Sequence, residues 1–165
     1  MLRRKDFDYI NVYNITGKKL GTIKDIIFDY YKSKVIGFQI TTKGFSKNNY
    51  VPVESVISFN EAMIVTSTMQ HNGLSFSAIK DMDVVDKCGN MIGVVEDVLI
   101  DIYDFSLKGI IISSGFIDRL IRGKSIILIN HTILGEDSIL FFANSSIILK
   151  SMPHNLIKDR YYEKV

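Results

Sequence analysis

The feature that most constrains this chain is that it contains the same sequence pattern twice. The stretch NITGKKLGTIKDIIFDYY (14–31) aligns without a gap on DKCGNMIGVVEDVLIDIY (86–103), 72 residues further on. In that register Gly17 meets Gly89, Gly21 meets Gly93, Asp25 meets Asp97, Asp29 meets Asp101, Tyr31 meets Tyr103 and Gly37 meets Gly109. Upstream, Leu2 meets Leu74 and Val12 meets Val84. Beyond the middle of each copy the match resumes at a shift of 76, with Val51-Pro52-Val53 on Ile127-Leu128-Ile129. The second copy therefore carries a short insertion near Gly115 to Lys124. A period of this length means a repeated structural unit, which must be recognised before any element is assigned.

Each unit reads as β-structure. The apolar residues are mostly Ile, Val, Phe and Tyr, which suit a pleated, half-buried surface. Asn14-Ile15-Thr16-Gly17 and Asp86-Lys87-Cys88-Gly89 have the chemistry of one turn. The first side chain can accept hydrogen bonds from amides ahead of it, and the glycine tolerates positive φ. Strands enter these turns at Ile10–Tyr13 and Met82–Val85 and leave at Leu20–Tyr30 and Ile92–Ile102. The outgoing strands alternate, but Lys24 and Glu96 interrupt both at the same place, which predicts a bulge or sharp bend. Further strands are predicted at Val35–Thr41, Tyr50–Val53 and Ala62–Thr66, and at Leu107–Ser113, Ser125–Ile129 and Ser138–Ala143. The expected fold is all-β: two tandem small antiparallel barrels with short helical turns, over 1–70 and 71–150, then a tail over 151–165. A unit of about 70 residues is marginal alone, so the two units should pack together or the chain should form a homodimer.

At this point the residues resemble a known family, the PRC-barrel domain. The resemblance rests on Asn14, Gly17, Leu20-Gly21, Ile23 and Asp25, on Asp86, Gly89, Ile92-Gly93, Val95 and Asp97, and on Val51-Pro52-Val53-Glu54. It implies a fold similar to the cytoplasmic domain of the photosynthetic reaction-centre H subunit and to the C-terminal domain of a ribosome maturation factor. It also implies a short helical turn after Val53, and a role in binding macromolecules without catalysis. The H subunit's transmembrane helix and the maturation factor's separate N-terminal domain have no counterpart in these residues. Stand-alone tandem copies are similar to bacterial proteins, some linked to sporulation.

Charge and motifs exclude several classes. With 20 basic and 18 acidic residues, the net charge of +2 does not by itself imply nucleic acid. The single cysteine, Cys88, cannot form an internal disulfide and reads as a plain turn residue. No apolar run reaches the length of a membrane span, and no signal peptide is read at the N-terminus, so a cytoplasmic protein is expected. His71, His131 and His154 lack zinc-ligand spacing, and no phosphate loop or nucleophile elbow is present. No cofactor, metal or catalytic residue is assigned.

Asp25 with Asp29, and Asp97 with Asp101, are the carboxylates most suggestive of a metal or acid–base site. Their repetition favours structure instead: Asp25 and Asp97 bonding amides at the bend, Asp29 and Asp101 opening the next turn. Asn14, Gly17, Gly21, Asp86, Gly89 and Gly93 complete the turn and bend set. The candidate partner surface is the insertion, where Phe116, Ile117, Leu120 and Ile121 recur at helical spacing beside Arg119 and Arg122. The same segment reads more readily as a one-turn helix plugging the barrel end or the interface between the repeats, because apolar stripes usually face a core. Pro153 could open a short helix in the tail. The leading functional expectation is a protein-binding adaptor with an unidentified protein partner. The rival is an RNA- or ribosome-associated factor using Tyr50, Tyr161, Tyr162, Arg3, Arg4, Arg119 and Arg122. A third reading is a small-molecule binder or an enzyme with a ligand at the barrel end.

Overall fold

The computed structural model describes residues 1–42, 49–113, 124–143 and 147–149. The first repeat supplies β1 (Leu2–Arg3), β2 (Asn11–Asn14), β3 (Lys19–Asp29), β4 (Lys34–Thr42), β5 (Tyr50–Pro52), β6 (Val56–Phe59) and β7 (Ala62–Val65). The second supplies β8 (Leu74–Ser75), β9 (Asp83–Val85), β10 (Met91–Ile100), β11 (Leu107–Ser113), β12 (Lys124–Leu128), β13 (Thr132–Leu134), β14 (Ser138–Phe141) and β15 (Ile147–Leu149). Short 3-10 turns occupy Arg4–Phe7, Val53–Ser55 and Ile129–His131, and one turn of helix, α1, spans Phe76–Ile79. The turns after β5 and β12 thus begin within the Val-Pro-Val-Glu segment, at Val53, and at the end of its counterpart, at Ile129.

The long strands β3 and β10 organise everything else. Their registers with β4 and β11 shift between Ile23 and Asp25 and between Val95 and Asp97, which leaves Lys24 and Glu96 as the extra residues of two bulges. A bulge bends a strand and increases its twist. Each long strand therefore has two halves with different neighbours. The first half of β3 pairs with β2, and the first half of β10 with β9. The second halves pair with a strand of the other repeat. Leu74 and Ser75 of β8 face Phe28 and Ile27, and Leu2 and Arg3 of β1 face Ile100 and Leu99.

This exchange is reciprocal residue by residue. The Val35 amide donates to the Phe105 carbonyl, and the Leu107 amide donates to the Ser33 carbonyl, each at 2.8 Å. These four residues interchange under the 72-residue shift, so a pseudo-twofold axis relates the repeats. Phe7, Val12, Ile26 and Phe38 share one apolar cluster with Val84, Ile100, Ile110 and Ile139. The two units are packed into one core.

Two closed antiparallel barrels are not what forms. The sheets are open and mixed: β5-β4-β3-β2-β7-β6 with β8 on β3, and β13-β14-β9-β10-β11-β12-β15 with β1 on β10. The pairs β2–β7 and β9–β14 are parallel. Alternation of apolar residues sets which face of a strand is buried, not its direction. A parallel return needs only a long crossover, and the chain between β2 and β7 provides one. The bend of each long strand is used to grip the other repeat's leading strand, and the two ends of each sheet do not meet.

One polar contact breaks the pseudo-symmetry. The buried Tyr30 hydroxyl lies 2.6 Å from Thr132 Oγ1, which in turn donates to the Ile129 carbonyl at 2.6 Å. A threonine has one hydroxyl proton, so Tyr30 is the donor. Burial raises the Tyr30 pKa to about 12. At the equivalent place the second copy has Ile102 and the first has Val56, an apolar pair. Tyr30→Phe removes one buried hydrogen bond, and urea melts should show a loss of about 1 kcal/mol. An unchanged midpoint would mean that the contact contributes nothing.

Candidate functional site

The two hairpin turns are built alike. Asn14 Oδ1 accepts from the amides of Thr16 at 3.1 Å and Lys18 at 2.8 Å, and Asp86 Oδ1 from those of Cys88 and Asn90, both at 2.8 Å. These bonds, with the Asn90 side chain first among the causes, hold the Asp86 pKa below its ordinary value. Gly17 and Gly89 both have φ +79°, a left-handed conformation that a side chain would strain. At Gly21 a Cβ would overlap the Thr41 carbonyl, and at Gly93 it would lie 2.8 Å from the Ser113 oxygen. Both glycines thus permit close strand approach just before the bulge.

The bulge aspartates, Asp25 and Asp97, both bond backbone amides. Asp25 is buried. Its Oδ1 accepts from the Ile26 amide at 2.8 Å, and its Oδ2 accepts from the Ser77 amide at 3.0 Å. The second bond joins the repeats, because Ser77 lies in α1, whose first-turn amides have no helical partner. Arg4 Nε sits 3.4 Å from Asp25 Oδ1, while Arg4 Nη1 reaches Asp8 at 2.8 Å. The guanidinium also lies over the Phe76 ring, 5.5 Å from its centroid. Asp97 is equally buried and accepts from the Val98 amide at 2.9 Å. Burial raises its pKa above the usual carboxylate value. The Val98 amide, the Arg4 backbone and the Arg3 charge oppose that rise. At the position equivalent to Arg4 the second repeat has Phe76, so the two bends differ in charge though not in backbone.

The remaining acidic candidates also cap turns. Asp29 Oδ1 accepts from the Lys32 amide at 3.0 Å, and Asp101 Oδ1 from the Tyr103 amide at 3.1 Å. Among the described residues, no group of three or more His, Cys, Asp or Glu side chains is placed to hold a metal ion. Cys88 is exposed in its turn.

The partner candidates Phe116, Ile117, Arg119, Leu120 and Arg122 lie outside the described residues, as do Tyr161, Tyr162 and the tail. Tyr50 does not offer a stacking face. It is buried, its hydroxyl donates to the Ile36 carbonyl at 2.6 Å, and its ring packs 4.5 Å from that of His71. Arg3 pairs with Asp6 at 3.7 Å, and Arg4 is committed to Asp8 and Asp25.

A surface that the sequence reading missed lies on the solvent side of the second sheet. Met91 is paired with Val85, Val85 with Leu140, and Leu140 with Ile133. Paired residues share a face, so these four form an apolar row across β10, β9, β14 and β13. Met91 is 60% exposed and Ile133 47% exposed. The first repeat provides an internal control. Its corresponding row runs Lys19, Tyr13 and Ile64, then Ser58 beside the bulged Ile57, which is the counterpart of Ile133 and itself 58% exposed, so the two rows differ chiefly at the Lys19 end. Setting Lys19 against Met91 in the repeat alignment would have revealed the difference.

The fold and its two bends define a duplicated β-module whose halves exchange their leading strands around buried aspartates. The chain belongs to the PRC-barrel domain family, whose model matches residues 1–70 and again 71–146. No curated protein matches the chain. Among the described residues, no helix is long and apolar enough to cross a membrane.

Proposed function

We propose that this chain is a non-enzymatic, cytoplasmic protein-binding and assembly module. The observation that carries this reading is the four-strand apolar row Met91–Val85–Leu140–Ile133 on the solvent face of the second repeat. Contiguous exposed apolar residues mark interaction sites in monomeric folds. The first repeat carries Lys19 where the second has Met91, so the fold does not require an apolar residue at that end of the row. The occupant that fits is a protein with an apolar face of its own. The carboxylates best placed for acid–base chemistry support a role without catalysis, because each is bonded to a backbone amide. A link to sporulation is the biological setting that the family resemblance suggests.

The test compares the immobilised chain with its Met91→Glu variant in lysate of the native organism, with and without RNase. Met91 is largely exposed, so its substitution spares the core. Proteins retained after RNase, and lost from Met91→Glu at an unchanged melting temperature, are the expected outcome. Ribosomal material that disappears with RNase would instead establish the RNA reading.

A further inference from the structure

The outer face of the second sheet is apolar on one side and acidic on the other. Beyond Leu140 and Ile133 the apolar side continues to Phe142 and His131, where the Phe142 amide donates to the His131 carbonyl and the two rings lie 6.1 Å apart. Phe142 is 40% exposed. On the other side, Asp83 shares the outward face of β9 with Val85, while Val84 between them is buried. Asp83 is exposed and paired with Ser138, and Glu136 and Asp137 are exposed in the turn that leads into Ser138. The three carboxylates therefore border the apolar row along one edge. Among the described residues none of the three has an ion-pair partner.

The first repeat carries little of this on the same backbone. Its Thr66 amide donates to the Ser55 carbonyl as the Phe142 amide does to that of His131. Yet Lys19 stands for Met91, Thr66 for Phe142, Asn11 for Asp83 and Asn60 for Glu136, and only Glu61 matches Asp137 in charge. These five positions have no net charge in the first repeat and three negative charges in the second. The remaining charges beside β9, Lys80 with Asp81 and Asp86 with Lys87, balance. The second copy thus differs from the first by apolar residues and acids together, on one face.

We propose that this face receives a basic amphipathic helix of another protein, with its apolar stripe on Met91, Val85, Leu140 and Ile133 and its Lys or Arg residues beside the three carboxylates. The proposal rests on the reading of this face as a binding surface and names the chemistry of its partner. Charge decides between occupants. Nucleic acid and anionic lipid would bring phosphates against Asp83, Glu136 and Asp137, and a second copy would bring the same acids. A basic helix suits both halves of the face. Four strands span about 14 Å, which about ten residues of helix cover. The step from Val85 to Asp83 is about 7 Å, comparable with the radius of a helix and its side chains.

The probe is a labelled helical peptide of about 18 residues, with Leu at i, i+3, i+4 and i+7 and Lys elsewhere. It is compared by fluorescence anisotropy with the same peptide carrying Glu in place of every Lys. The Lys peptide should bind and the Glu peptide should not. Asp83→Asn, Glu136→Gln and Asp137→Asn together should weaken the Lys peptide about tenfold and flatten its salt dependence. Met91→Lys, which matches the first repeat at that place, should weaken it as well. All four side chains are exposed, so the melting temperature should hold. Equal binding of the two peptides would overturn the proposal, and that comparison needs no variant. Binding of the Lys peptide that ignores either variant would also overturn it. Concentration-dependent dimers lost on Met91→Lys would put a second copy on the face instead. Lysate proteins that need Met91 but not the carboxylates would leave the face a binding surface and overturn only its basic partner. Proteins that need neither would overturn both.

Discussion

Phe7→Ala should destabilise the entire chain, not the first repeat alone, by about 3–5 kcal/mol in urea unfolding at neutral pH. Phe7 is 1% exposed and lies between two rings, 5.6 Å from Phe38 and 5.1 Å from Phe59. Truncation removes a large buried surface and leaves a cavity that the flanking β-strands are poorly free to fill. Phe7 also closes the 3-10 turn that begins at Arg4, and β1 immediately before that turn is paired with β10. A loosened turn weakens the grip of the first repeat on the second. Because the core cluster spans both repeats, fluorescence and far-ultraviolet circular dichroism should report one coincident transition in wild type and variant alike. Two separated transitions, with the second unmoved by the substitution, would mean that the repeats fold independently.

The sequence made the repeat, the hairpin turns and the two bulges legible, because each depends on local chemistry. A glycine with positive φ and an Asn or Asp four residues from its last amide partner mark a turn wherever they occur. Lys24 and Glu96 break an alternation that would otherwise bury them, and the strand resolves the conflict by adding a residue to one side of the ladder. What was not legible is non-local. β1 and β8 have two residues each, too few to show a period. The match of Leu2 with Leu74 shows that both segments matter, but the same apolar residue fits β3 and β10 equally, so pattern alone cannot say which repeat receives it. The parallel returns of β7 and β14 are hidden for the same reason, since alternation reads identically in either direction. The apolar row on the second sheet was missed because Met91, Val85, Leu140 and Ile133 are far apart in sequence. Only the pairing of four strands brings them into line.

Asp25 and Asp97 occupy equivalent bulges, yet their asparagine variants should behave oppositely. Asp25→Asn leaves Arg4 Nε facing a neutral amide in a buried setting, and the bond to the Ser77 amide across the repeats is weakened or lost. Breaking a buried charged contact of this kind costs about 3 kcal/mol, at the low end because Asp8 still holds the same guanidinium. Asp97 has no arginine at that place. Burial is the largest influence on its pKa and raises it above 3.8. For a carboxyl whose folded pKa is raised, the favourable contribution is complete below the unfolded value. It is lost as pH climbs through the folded one. Asparagine mimics the protonated form at every pH. Asp97→Asn should therefore gain on wild type as pH rises from about 4 towards neutrality, and should cost little or nothing at pH 7. Paired urea melts of both variants and wild type at pH 4 and pH 7 would measure this. Equal losses at pH 7 would mean that Arg4 does not distinguish the bends. A gain for Asp97→Asn on acidification would show that its carboxylate is stabilised in the folded chain, contrary to the dominance of burial.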